Sequence, residues 1–100
     1  MTVYHIVLFT LKPSATKEQV SELKDAANSM VGQIPGLTKM EVGPPLGSTA
    51  ARAQGFDYGL IAVLEKPEDV KVYAEHPVHQ KVHEIRESLC DDTLAYDLVA

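Results

Sequence analysis

The stretch Val3–Leu11, "VYHIVLFTL", carries apolar side chains on both of its alternating faces. Val3, His5, Val7 and Phe9 share one face; Tyr4, Ile6, Leu8 and Thr10 share the other. A strand without a polar face has to be covered on both sides. One layer of helices covers one side only, so a chain of 100 residues, the length of one domain, must find its second cover elsewhere.

The order of the remaining elements sharpens this. Pro13 ends the first strand, and Thr16 with Gln19 forms a T-x-x-Q capping box. Val20, Leu23, Ala27, Met30, Val31 and Ile34 then recur at helical spacing until Pro35-Gly36 stops the helix. Residues 37–43 predict a second strand. "PPLGSTAARAQG" (44–55) predicts a mobile loop. Residues 56–65 predict a third strand, with Phe56, Tyr58, Leu60, Ala62 and Leu64 on one face. Pro67, Glu68 and Asp69 open a short helix. Pro77 opens another, with His76 as its N-cap and Val78, Val82, Ile85 and Leu89 as its buried stripe. Residues 93–99 predict the last strand. The order is β-α-β-β-α-β, an α+β ferredoxin-like pattern spanning residues 1–100 as a single domain. It implies a four-stranded antiparallel sheet with its helices on one face. The open face is expected to pack on a second copy of the chain, giving a homodimer.

Charge and composition exclude several classes. A net charge of −5 with scattered Lys and Arg offers no basic patch, so no nucleic acid is expected as a partner. No run approaches the roughly 18 apolar residues of a membrane span. The first residues lack the basic region and small-residue cleavage site of a secretion signal. A single cysteine, Cys90, forms no internal disulfide and builds no metal site alone, which fits a reduced, cytoplasmic compartment.

Three of the four histidines stand in "EHPVHQKVHE", residues 75–84. At about 100° per residue, His79 falls roughly 90° from the buried stripe and His83 about 130° from it. His79 and His83 have the i, i+4 spacing of a zinc pair, but a zinc site wants three or four protein ligands and none completes it. No metal is expected. His76 reads as a cap and His83 as a solvated side chain. His79 keeps two readings. It is a polar residue on the border of the core, or it is a neutral imidazole near a helix N-terminus, where the dipole disfavours its cation and suits it to general-base work. Asp97 lies among Leu94, Ala95, Tyr96, Leu98 and Val99, where a covered carboxylate needs a partner. Strands one and four are neighbours in this fold, which puts His5 beside Asp97. Tyr73, from the short helix, adds a hydroxyl. The expected constellation is His79 oriented by Asp97, with His5 and Tyr73 beside them. A purely structural polar cluster is the other reading.

The motifs "HIVLFTLK", "IPGL", "GFDYGLIAVLE" and "YAEHPVHQKV" together resemble the stress-responsive dimeric α/β-barrel family, Dabb, over nearly the whole chain, with the H-P-x-H element the most specific. The resemblance implies a homodimer whose sheets pack face to face into a barrel, with no metal or organic cofactor. Within the family, the chain resembles polyketide cyclases of the olivetolic acid cyclase type. That likeness implies an intramolecular aldol reaction on a small, hydrophobic, ketide-like molecule, with His79 as base, Tyr73 assisting and Asp97 supporting the histidine. His5 matches a strand-one histidine. Ala27 stands where the cyclase has a pocket tyrosine and Tyr58 where it has a histidine, so these positions reshape the substrate pocket. The expected activity is a cofactor-independent cyclase or lyase, with the 44–55 loop as a gate. The alternatives are a non-catalytic stress-response or small-ligand-binding barrel and, on less support, a cofactor-free monooxygenase.

Overall fold

The computed structural model describes residues 1–100. Its elements are β1 (Val3–Leu11), α1 (Lys17–Ser29), β2 (Leu37–Gly43), a 3-10 segment (Gly47–Ala53), β3 (Tyr58–Leu64), α2 (Glu68–Glu75), α3 (Pro77–Leu89) and β4 (Cys90–Val99). The sheet is antiparallel in the order β2-β3-β1-β4. This is the ferredoxin-like α+β arrangement, and β1, apolar on both faces, is one of its two central strands. No helix is long and apolar enough to cross a membrane.

One face of the sheet carries the core. Val3, Val7 and Phe9 of β1 and Leu60, Ala62 and Leu64 of β3 pack against Leu23, Ala27 and Met30 from α1 and its cap, and against Val82 and Leu89 of α3. Full burial of a side chain such as Phe9 or Leu23 contributes roughly 1.5–3 kcal/mol. The capping box forms as expected: the Gln19 amide donates to Thr16 Oγ1, and the Thr16 amide donates to Gln19 Oε1. His76 caps α3 by accepting from the Val78 amide at its Nδ1.

The opposite face carries Tyr4, Ile6 and Leu8 of β1, Ile61 and Val63 of β3, and Leu94, Tyr96 and Leu98 of β4, uncovered within one chain. Tyr96 is 61% exposed and Leu94 50%. Lys39 and Glu41 of β2 are exposed at its margin and pair with each other at 3.7 Å. The patch is continuous and apolar, unlike the isolated apolar residues of an ordinary surface.

Four boundaries differ from the sequence expectation. α1 stops at Ser29 rather than at Pro35-Gly36, because Gly32 takes a φ of +92° and unwinds the chain early. Val31 is consequently exposed, while Ile34 reaches the core from the turn that follows. Residues 44–55 contain an ordered 3-10 segment rather than only loop. β3 begins at Tyr58, after Phe56 and Asp57, and β4 begins at Cys90, directly after α3, instead of at residue 93.

Gly36 holds the turn before β2. Its φ is +85°, and an added Cβ would lie 2.4 Å from Cγ of the buried Asp69, whose Oδ2 accepts from the Lys66 amide ahead of α2. Gly36→Ala is therefore expected to cost on the order of 1–3 kcal/mol from the left-handed backbone alone, with the overlap adding to it. Urea unfolding measures the loss; an unchanged midpoint would refute this account of the turn.

Candidate functional site

Between the sheet and the α2–α3 pair lies a cavity of about 210 Å³, lined by His5, Tyr73, His79, His83 and Arg86 among apolar neighbours. β1 presents His5 on the helix side of the sheet, where it stands directly opposite Asp97 of β4 and Ala62 of β3. Tyr73 comes from the buried face of α2. The break between α2 and α3 then carries the chain past Pro77, so that His79, His83 and Arg86 project from successive turns of α3.

His79 is fixed through its backbone surroundings. Its Nδ1 lies 3.1 Å from the carbonyl oxygen of Ala74. A carbonyl only accepts, so Nδ1 carries the hydrogen and Nε2 keeps the lone pair of the neutral ring. Burial pushes the His79 pKa down. The Ala74 hydrogen bond opposes this, while the charges of His83, His5 and Arg86 reinforce it. The ring packs against Tyr73 at a tilt of 42°, with centroids 4.3 Å apart. Burial pushes the Tyr73 phenol up to about 12, against the pull of the Arg86 guanidinium. Tyr73 is 2% exposed, yet its oxygen is not among any buried atoms lacking a partner, so the hydroxyl opens on the cavity. His5 meets Tyr73 edge-on at 5.4 Å.

His79, Tyr73 and His5 thus converge as the sequence led one to expect. Asp97 does not reach His79. Its Oδ1 lies 2.5 Å from His5 Nδ1, and its side chain is 45% exposed on the edge strand. The cross-strand pairing that brings His5 and Asp97 face to face also consumes the carboxylate, and the orienting role at His79 falls to the Ala74 carbonyl. His83 is not simply solvated. It stands at the rim, with Nδ1 accepting from Arg86 at 3.0 Å and Nε2 3.3 Å from Glu87 Oε1. Ala27 is sealed in the core and does not line the cavity. Tyr58 packs on Phe9 at 5.8 Å and lines a different cavity, of about 370 Å³, under the 44–55 segment. That larger space holds only Glu41 and Tyr58 as ionisable groups, whereas the smaller one gathers His5, Tyr73, His79, His83 and Arg86. His79 and His83 lie 6.0 Å apart, and no cluster of three or more His, Cys, Asp or Glu is spaced for a metal ion.

Arg86 was not visible as a site residue from composition, although its position could have revealed it. It lies four residues after Val82 and three before Leu89, on the stripe that faces inward. Arg86 is only 8% exposed. Its guanidinium donates to Thr93 Oγ1 at 2.7 Å and to Cys90 Sγ at 3.4 Å, and stands 6.0 Å over the Phe9 ring.

The family model described as Stress responsive A/B Barrel Domain matches residues 3–100. A stress-response A/B barrel domain-containing protein of Arabidopsis thaliana is 30% identical over 101 residues, covering 98% of this chain and 36% of that protein. The chain therefore spans about a third of the length of this curated relative. A dimeric ferredoxin-like protein of unknown function from Thermobifida fusca superposes with a TM-score of 0.85 at 26% identity, covering 100% of this chain and 92% of the other. The hydroxynitrile lyase of Passiflora edulis superposes with a TM-score of 0.88, covering 99% and 93%, but at 17% identity that likeness is one of fold.

Proposed function

Because the chain belongs to the stress responsive A/B barrel domain family, we propose that it works as a homodimer and uses the His79 cavity for cofactor-independent cyclase or lyase chemistry on a small ketide-like molecule. The observation that carries this reading is the single free nitrogen of His79, left with its lone pair by the Ala74 contact and set beside the Tyr73 ring in one cavity. Nε2 takes a proton from a carbon flanked by carbonyls, where the acidity is high enough for a weak base once the oxyanion is stabilised. The phenol stays protonated throughout the neutral range and donates to the developing enolate oxygen. The enolate carbon then attacks a second carbonyl of the same molecule, and the new alkoxide receives the proton from the imidazolium. His5, held by Asp97, supports the Tyr73 edge. The resemblance to olivetolic acid cyclase-type enzymes supports the same roles for His79 and Tyr73. Dimerisation is favoured by the uncovered apolar sheet face and by the dimeric state described for the Thermobifida fusca protein.

A second reading, a non-catalytic small-ligand-binding barrel, has one observation on its side: burial lowers the His79 pKa and leaves the imidazole a weak base. Incubation with short linear β-keto thioesters in heavy water separates the two. The enzyme reading expects protein-dependent exchange of the α-protons, followed by a cyclised product in mass spectra. Binding of the thioester without exchange above the buffer rate would favour the second reading.

A further inference from the structure

Across the open face of the sheet the register sets side chains in rows that run from β2 to β4. Gly43, Gly59, Leu8 and Leu94 form one row; Glu41, Ile61, Ile6 and Tyr96 form the next; Lys39, Val63, Tyr4 and Leu98 form the third. The rows are lopsided. Each ends on β4 with a large apolar or aromatic side chain, and on β2 with a glycine or a charged residue. The glycine end is a hollow of about 370 Å³, walled by Leu8, Pro44, Pro45 and Phe56. Its two glycines differ. A Cβ at Gly59 would come within 3.0 Å of Leu8 Cδ2, so its own chain accounts for it. A Cβ at Gly43 would meet nothing within 4 Å, and its φ lies outside the left-handed region. Nothing inside the chain requires glycine there, although glycine weakens a strand. A bare strand position of this kind marks the close approach of a group from outside.

We infer that this group is Leu94 of a second copy: the sheets stack with β4 of each chain over β2 of the other, and Leu94 enters the hollow above Gly43. The inference rests on the homodimer proposed above and adds its register. A two-fold axis between stacked sheets has two simple settings. Running along the strands, it exchanges the edges and keeps each row over itself, apart from the roughly 30° twist of aligned sheets. Bulk then meets hollow at both ends, and Tyr96 stands over Glu41, where its phenol donates to the carboxylate. Running across the strands, the axis lays β4 over β4, so leucine meets leucine and both hollows stay empty. Interface cores pack as densely as protein interiors, which disfavours the second setting. The face is large enough. The molecule's longer extents, 35 and 26 Å, accommodate the roughly 800 Å² that each partner of a standard interface buries. The Thermobifida fusca protein, 26% identical to this chain, is described as dimeric.

Cysteine cross-linking of the full chain tests the register. Gly43→Cys and Leu94→Cys are combined in one protein, treated with a short bis-maleimide, and covalent dimer is read on a denaturing gel. Within one chain the two positions stand three strand spacings apart, about 14 Å, so a short reagent joins them only between copies. Cys90 is buried and present in every sample, so the unsubstituted protein sets the background. The double variant is expected to yield covalent dimer, and Leu94→Cys alone only the background. Gly43→Val, which fills the hollow, is expected to raise the Kd of assembly about ten- to a hundredfold, the range for overpacking. Covalent dimer from Leu94→Cys alone places β4 over β4 and overturns the inference. So does a double variant that sediments as a dimer and does not cross-link, or a Kd unchanged by Gly43→Val. These outcomes strike the register alone. Unsubstituted protein that sediments as a monomer at micromolar concentration removes the homodimer reading, and the inference with it.

Discussion

His79→Ala is expected to slow α-proton exchange from a short β-keto thioester by about 10²- to 10⁴-fold, the usual contribution of a positioned general base. The effect should fall on kcat more than on KM, because the imidazole meets the substrate at a C–H bond that changes only in the transition state. The pH profile of the intact protein carries a second signature. Burial lowers the His79 pKa below the ordinary histidine value of 6.5, so the base stays neutral and competent into mildly acidic solution. The acid limb of kcat/KM should therefore lie below pH 6.5 and disappear in the variant. Stability follows the same sign. Between the folded and unfolded pKa values the unfolded chain binds more protons, so this contribution is complete above pH 6.5 and is lost as the pH falls through the folded value. An exchange rate unchanged by the substitution would remove His79 from the chemistry.

Ile6→Glu is expected to weaken the homodimer by about two to four decades in Kd, from the roughly 3–5 kcal/mol cost of burying an unpaired charge. Ile6 sits in the middle of the open face, directly opposite Ile61 on one side and Tyr96 on the other. A carboxylate there loses its water when the second sheet arrives and finds only apolar side chains. The same substitution on the exposed side of α3, such as Gln80→Glu, should leave assembly unaltered. Analytical ultracentrifugation at micromolar concentration distinguishes the two. Ile6→Glu protein that still sediments as a dimer with unchanged affinity would mean that another surface joins the copies.

The topology was legible because its signals are periodic and local. The two-faced apolar run of β1, the T-x-x-Q box at Thr16 and Pro77 behind His76 each specify an element within a few residues. The neighbouring of His5 and Asp97 followed from strand order alone, and the register pairs them as expected. The finer partnerships were not legible. Which side chain takes the Asp97 carboxylate depends on where each group sits relative to its strand and helix. The Ala74 carbonyl that orients His79 is a backbone group with no residue-type signature. The early end of α1 turned on Gly32, whose left-handed conformation outweighed the apolar spacing that continued to Ile34. Arg86 escaped because a long cation on an apolar stripe reads as a solvent-reaching side chain, whereas Thr93 and His83 here hold it inside. Ala27 and Tyr58 show the limit of carrying pocket positions over from a resemblance: one is in the sealed core and the other under a different loop.

β4 is the outermost strand, paired on one edge only and exposed from Asp91 onward. Its alternation gives Thr93 and Ala95 to the cavity and Leu94, Tyr96 and Leu98 to the face that a second copy would cover. One thin element therefore serves two equilibria. Whatever stiffens it from the cavity side lowers the ordering cost of assembly from the other, and the relation is reciprocal by linkage. An occupied cavity should tighten self-association by the same factor with which self-association tightens occupancy. Amide exchange along Asp92–Val99, followed with a short β-keto thioester and with protein concentration varied in turn, reads both halves of that cycle. Protection that responds to one and never to the other would uncouple them.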